Sequence, residues 1–112
     1  MTATDQLSLV FAALADPTRR QILAQLTVGD ATVTELTAPL PISMPAVSRH
    51  LKVLQEAGLV LQTPHAQWRT HHLQTQPLTE AGAWIEHVTA VWSARLDRLD
   101  THLKRQTKRK PR

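Results

Sequence analysis

Cysteine is absent from the 112-residue chain, so disulfides, thiolate metal sites and thiol redox chemistry are excluded within it. Long apolar runs are absent too: none approaches the roughly 18 to 20 residues of a membrane-spanning helix, and the N-terminus lacks the pattern of a secretion signal. Glycine-rich phosphate loops and nucleophile motifs are missing, and the acids are scattered. These absences predict a soluble, cytoplasmic protein that is not an enzyme, has no cofactor and does not contact a membrane.

The net charge of +4 is unevenly distributed. Residues 104–112 hold six of the 13 lysines and arginines and no acid, whereas all nine acids lie before them. The rest of the chain is therefore slightly acidic, and a case for nucleic-acid binding must depend on local surfaces. We expect one domain over residues 1–103 and a basic, disordered tail over residues 104–112.

The first thirty residues predict two helices. A set of apolar residues with i, i+3, i+4, i+7 spacing favours an amphipathic helix over residues 5–15. Asp16 fits the N-cap of a second helix and Pro17 its first position, where a missing N–H costs nothing. Gly29 and Asp30 end that helix. The two helices are thus expected to meet at the Asp16-Pro17 corner.

Residues 32–60 predict a short helix, a tight turn and a longer helix. Pro39 and Pro41 stop the short helix after one or two turns. Ser43 fits the N-cap of the longer helix, which runs to Ala57 before Gly58 at its C-terminal end. This order is typical of a helix-turn-helix, whose second helix enters the DNA major groove by its N-terminal half.

The longer helix has two unlike faces at a period of 3.6 residues. Its apolar stripe consists of Val47, Leu51 and Leu54. The opposite stripe consists of Pro45, Ser48, Arg49 and Lys52. The second stripe carries two positive charges and no acid, whereas a merely solvated helix usually mixes signs. Small residues beside cations allow a close approach, so this face favours contact with DNA.

Beyond Gly58 the pattern changes to short segments with period 2. LVLQT and WRTHHL, separated by a turn at residues 64–67, predict a hairpin, which would form a wing able to reach phosphates or the minor groove. A long apolar helix follows from Pro77 to Leu103, about 39 Å at 1.5 Å per residue. One small domain can hardly cover it, so we expect a second copy to do so.

Taken together, three stretches resemble the ArsR/SmtB-type winged helix-turn-helix repressors. They are FAALADPTRRQILAQL at 11–26, ISMPAVSRHLKVLQEAGLV at 42–60, and the hairpin with its terminal helix, which is most similar to the metal-independent, autorepressor-like branch. The resemblance implies a mainly α fold with a small β-hairpin, in the order α-α-α-α-β-β-α. It also implies a homodimer that represses a palindromic operator, which may include its own promoter, with half-sites about 34 Å apart.

The resemblance assigns residues to double-stranded DNA and to the dimer interface. DNA contacts are expected from Ser43, Met44, Pro45, Ser48, Arg49, His50 and Lys52 of the helix, and from Gln67 and Arg69 of the wing. Arg49 is the candidate for a bidentate contact to guanine, while His50 is expected to pack at the margin of the helix. The dimer interface is expected to contain Leu7, Val10, Phe11, Leu14, Trp84, Ile85, Val88, Trp92 and Leu96.

Departures from the family leave regulation open. The wing lacks its usual glycine and is poor in arginine, which predicts weak phosphate anchoring. Thr32 and Thr34 stand at the positions of the arsenical sensors' cysteine pair, and no chelating pair lies on the terminal helix, so we expect no metal site within one chain. Three alternatives remain: an intersubunit metal site, a hydrophobic effector pocket at Trp84 and Trp92, and a protein-interaction module that does not bind specific DNA. The effector itself is unknown.

Overall fold

The computed structural model describes residues 5–109, with side chains as far as residue 107. Its elements are α1 (Gln6–Leu14), α2 (Pro17–Val28), α3 (Val33–Thr37), α4 (Met44–Glu56), β1 (Val60–His65), β2 (Trp68–Leu73) and α5 (Gln76–Arg109). This order confirms the predicted fold class. The chain divides into two compact units, residues 1–81 and residues 82–112.

Polar side chains cap the four N-terminal helices. Asp16 accepts a hydrogen bond from the Arg19 N–H at 3.0 Å, and Ser43 accepts one from the Ala46 N–H at 3.3 Å, as predicted. The Arg19 N–H also holds the pKa of the Asp16 carboxyl below its ordinary value, because it stabilises the charged form. Asp5 caps α1 and Thr32 caps α3 in the same way. Local chemistry therefore sets where each of these helices begins.

The first unit has one hydrophobic core, which the predicted stripe of α4 enters. Val47 and Leu54 are fully buried and Leu51 nearly so. The other core residues are Val10, Ala13, Ile22, Leu23, Leu26, Leu36, Ala57, Leu59, Val60 and Ala81. At about 1.5 to 3 kcal/mol for each large apolar side chain buried, the stripe fixes the rotation of α4 about its axis.

Gly58 joins α4 to the hairpin through a Schellman motif. The Gly58 N–H donates to the Gln55 carbonyl at 3.0 Å, and the Leu59 N–H donates to the Leu54 carbonyl at 2.9 Å. Gly58 has φ +79°, a left-handed conformation that other residues rarely adopt. The hairpin strand therefore begins directly after the end of the helix.

The hairpin is longer than the sequence predicted. β1 and β2 pair in antiparallel register from Val60↔Leu73 to His65↔Trp68, so Pro64 and His65 belong to β1 and only Ala66 and Gln67 form the turn. Pro64 is tolerated because a two-stranded ribbon has free edges. Ala66, at φ 55°, takes a left-handed conformation, which glycine adopts more readily than other residues.

A contact that the sequence analysis did not predict ties the hairpin to the helices. Ala31, between α2 and α3, exchanges two backbone hydrogen bonds with His71 of β2, at 3.1 and 2.8 Å. His71 is only 4% exposed. Its burial lowers the pKa of the imidazole below the ordinary 6.5, an effect that the Ala31 backbone partly offsets.

Helix α5 is 34 residues long and extends beyond the predicted end at Leu103. Residues 104–109, expected to be disordered, are helical, which differs from the sequence-based prediction. Lysine, arginine and glutamine favour helix, and Lys104 Nζ lies 3.1 Å from the Asp100 carboxylate one turn earlier. Residues 110–112 lie outside the described residues. Over residues 5–109, no helix is both long and apolar enough to span a membrane.

We expect Gly58→Ala to destabilise the protein by about 1 to 2 kcal/mol, because alanine is strained in the left-handed region. The added Cβ would also lie 2.6 Å from Gln6 Nε2 and displace its hydrogen bond to the Ala57 carbonyl. Urea unfolding measures the change. Gly29→Ala is the control, since Gly29 is extended and has open space around its Cβ position. Equal urea midpoints for Gly58→Ala and Gly29→Ala would contradict the predicted backbone strain at residue 58.

The buried His71 predicts a loss of stability on acidification. Below about pH 6.5, His71 binds a proton in the unfolded chain but remains neutral in the folded protein, because its pKa is lower there. The free energy of unfolding should therefore fall as the pH drops from about 7.5 through 6.5 toward the lower pKa of the folded state. Urea unfolding across this range should show a smaller fall in the free energy of unfolding for His71→Gln than for the wild type. An unchanged slope in His71→Gln would disprove the assignment.

Candidate nucleic-acid interface

The exposed face of α4 carries the residues predicted to contact DNA. Ser43, Met44, Pro45, Ser48, Arg49 and Lys52 are all exposed. From Met44 to Lys52, about two and a half turns, α4 contains no acidic residue. In the part of the chain that the structure describes, neither Arg49 nor Lys52 forms an ion pair. Two free cations therefore project from the N-terminal part of the helix.

Arg19 was not assigned a role by the sequence analysis, yet it links α1 to α4. Its Nε donates to the Ala13 carbonyl at 2.8 Å and its Nη2 to the Ala12 carbonyl at 3.1 Å. Its Nη1 lies 3.3 Å from His50 Nδ1. One guanidinium thus caps the end of α1 and holds the middle of α4. An arginine placed three residues after a capping aspartate, next to a helix end, was the signal available in the sequence.

His50 differs from its neighbours on the helix. It is half-buried and lies against Arg19. Because the arginine can only donate, Nδ1 of His50 is the acceptor. This contact suits the packing role expected for His50 better than direct contact with a base.

The wing presents Arg69 through a chain of side-chain hydrogen bonds. Arg69 Nη1 donates to Gln62 Oε1 at 3.1 Å. The other end of the same amide, Nε2, lies 3.4 Å from His71 Nε2. Since the Gln62 oxygen accepts from arginine, its NH₂ is the group that faces His71 Nε2. The buried histidine thus orients the amide that holds the arginine.

A groove separates α4 from the wing. It has a volume of about 740 Å³ and is lined by residues 32–34, by four residues of α4 from Ser48 to Gln55, and by five wing residues from Gln62 to His71. We call it the wing groove. Of the predicted DNA contacts, Ser48, Lys52, Gln67 and Arg69 border it. The other predicted contacts on α4 and its N-cap lie outside the wing groove: Ser43, Met44, Pro45, Arg49 and His50.

Of the residues expected at the dimer interface, those on α1 lie against the core. Val10 is 1% exposed and lies within the core, so it supports α1 from inside. Leu7, Phe11 and Leu14 are partly buried beside it.

The expected interface residues of α5 are exposed. Trp84, Ile85, Val88, Trp92 and Leu96 each expose 44 to 53% of their surface. Trp92 borders a depression of about 260 Å³ with Val88, Val91, His87 and Arg95, and Trp84 is not among its lining residues.

Thr32 and Thr34, at the positions expected to correspond to the cysteine pair of the arsenical sensors, carry hydroxyls in place of thiolates. The Thr32 side chain accepts a hydrogen bond from the Glu35 N–H at 3.3 Å, and Glu35 Oε1 accepts one from the Thr32 N–H at 2.9 Å. The side chains of Thr32 and Glu35 therefore cap the start of α3. Among the described residues no three histidines or acids are grouped as metal ligands.

Comparisons with known proteins agree with this architecture. Residues 14–63 match the family model of a helix-turn-helix domain. The chain is 36% identical over 76 residues to the transcriptional repressor SdpR of Bacillus subtilis, covering 68% of this chain and 84% of that protein. It is 51% identical over 61 residues to the HTH-type transcriptional regulator Rv2034 of Mycobacterium tuberculosis, but that match covers 54% of this chain and only 57% of the relative.

Solved structures extend the similarity to the wing and beyond. A crystal structure of an ArsR family transcriptional regulator superposes with a TM-score of 0.75 at 35% identity, covering 80% of this chain and 98% of that one. An ArsR-like transcriptional regulator from Rhodococcus sp. RHA1 superposes with a TM-score of 0.77 at 32% identity, covering 86% of this chain and 91% of the other. With the acid-free face of α4 and the wing beside it, these similarities show that the chain belongs to the ArsR/SmtB family of winged helix-turn-helix transcriptional regulators.

Proposed function

We propose that this protein is a cytoplasmic homodimeric repressor that occupies a palindromic promoter operator, with its own promoter as the first candidate. The observation that carries the proposal is the exposed, acid-free face of α4, whose opposite face is buried in the core. A helix held in this way can enter the major groove without exposing apolar surface. The function is binding alone, since occupation of a promoter excludes the polymerase.

On this helix, residue chemistry divides the work between bases and phosphates. Arg49 is exposed and unpaired among the described residues, so its guanidinium can donate two parallel hydrogen bonds to guanine O6 and N7. Met44, 41% exposed at the start of α4, can meet a thymine methyl. Ser48 and Lys52 are suited to phosphates, as are Gln67 and Arg69 across the wing groove.

The homodimer is supported by the apolar surface of α5. The second unit exposes large apolar side chains along most of its length, from Trp84 to Leu103. A soluble monomer rarely exposes so long an apolar surface. A symmetric pair would bury it and would present two α4 helices to a palindrome.

Arg49→Ala is expected to weaken binding to operator DNA by about 1 to 3 kcal/mol and to relax specificity at one base pair. Fluorescence anisotropy with DNA from upstream of the gene, beside scrambled DNA and over a salt series, measures both effects. Arg98→Ala removes the same charge from α5 and is the matched control, with near wild-type discrimination expected.

If Arg49→Ala and Arg98→Ala weaken binding equally, net charge rather than base reading would explain the affinity. If the wild-type protein does not distinguish the two DNAs, the fold would serve as a protein-interaction module.

Val88→Asp is expected to dissociate the dimer, because the carboxylate would be buried without a partner at the interface. Val88 is 45% exposed in the single chain, so the variant should still fold. Sedimentation at micromolar concentration should show two chains for the wild type and one for the variant. Thr89→Asp, at the next exposed position, is the control; a wild-type species of one chain's mass would contradict the dimer.

A further inference from the structure

The wing groove has the size and the composition of a small-molecule site. Its volume of about 740 Å³ lies within the range of roughly 300 to 1,000 Å³ typical of such sites. Val33 and Trp68 contribute apolar surface, and three glutamines contribute amide groups. His71 also lines the groove; it is almost completely buried, and its Nε2 lies within hydrogen-bond distance of the Gln62 amide. Space, apolar surface and a few oriented polar groups therefore meet in one place.

The charge of the groove selects for an anion. Among the residues that the structure describes, Lys52 and Arg69 line it and no aspartate or glutamate does. Glu35, in the helix that forms one wall, directs its carboxylate to the Thr32 N–H at 2.9 Å. Arg69 has one Nη committed to Gln62. Its remaining N–H groups are suited to a carboxylate, which accepts paired hydrogen bonds from a guanidinium.

The wall formed by Trp68 selects for an aromatic ring. Trp68 is 52% exposed although it is the largest apolar side chain of the wing. Its ring lies 5.7 Å from that of His65, at an interplanar angle of 49°, and the Trp68 side chain also lines the groove. A flat ligand ring stacked there would cover indole surface that the chain leaves in water.

We propose that the wing groove binds a small aromatic carboxylate, with the ring against Trp68 and the carboxylate at Arg69 and Lys52. Because Ser48, Lys52, Gln67 and Arg69 also belong to the proposed DNA surface, ligand and operator compete for the same side chains. This second part depends on the proposed repressor function. The ligand would then act as an inducer that releases DNA by direct competition, with no change in conformation.

The test uses 2-naphthoate as probe, with 2-naphthamide as a neutral analogue and inorganic phosphate as an anion without a ring. In ¹H–¹⁵N NMR spectra, 2-naphthoate should shift the Trp68 indole N–H saturably; this signal is assigned by its loss in Trp68→Leu. Isothermal titration calorimetry should show binding weakened on the order of tenfold or more in Trp68→Leu and in Arg69→Gln, and unchanged in Arg98→Ala.

Three results would overturn the site: no saturable shift with 2-naphthoate, equal binding of 2-naphthamide, or the same indole shift with phosphate alone. An equal shift with phosphate would mean that the groove binds anions such as the phosphates of the DNA backbone and does not recognise an aromatic ring.

Competition is measured with the operator. Added 2-naphthoate should raise the apparent Kd for DNA by the factor 1 + [L]/Kd in the wild type and have little effect on Trp68→Leu. Operator binding with no response to naphthoate would overturn the inference and leave the repressor proposal standing. Naphthoate binding by a protein that ignores operator DNA would support the site and overturn the repressor proposal.

Discussion

The burial of one stripe of α4 is the constraint on which the rest of the structure depends. Val47, Leu51 and Leu54 cannot leave the core without exposing large apolar side chains, so the helix has one permitted rotation. That rotation directs Arg49 and Lys52 away from the protein. The same packing that stabilises the fold therefore determines which face of α4, the one with Arg49 and Lys52, is exposed.

Two sets of polar contacts add to the core in fixing the positions of α4 and the wing. Arg19 joins the end of α1 to the middle of α4 through His50, and the pair of backbone hydrogen bonds between Ala31 and His71 anchors β2 to the connection before α3. The first sets the position of the helix and the second sets the position of the wing. Both parts of the candidate interface are thus held in place by contacts with other elements of the first unit.

The sequence predicted those features whose causes are local. The caps at Asp16 and Ser43, the stop at Gly58 and the amphipathic stripe each depend on residues within one or two turns, and all were confirmed. The helical extension to Arg109 was missed, although it too is local, because the charge of that segment was taken to indicate disorder. Charge repels, but the helix propensity of lysine and arginine is high.

Contacts between residues distant in sequence could not be predicted. Nothing in the sequence near Ala31 indicates that it will pair with a residue forty positions away, and nothing near Gln62 shows that it will orient Arg69. The residues predicted to contact DNA could be placed on one face of α4 by periodicity. The wing groove could not be predicted, because its lining depends on the register in which β1 and β2 pair. The sequence of the turn has no glycine that would have indicated that register.

The short connection at Gly58 has a consequence for the DNA. Because β1 begins within four residues of the end of α4, and the intervening backbone is fixed by two hydrogen bonds, the helix and the strand that leads to the wing are joined without a flexible linker. A duplex whose groove width does not match that spacing has to be deformed to bind. Stiffness of base-pair steps that no side chain touches would then contribute to operator choice, since the deformation energy depends on their sequence.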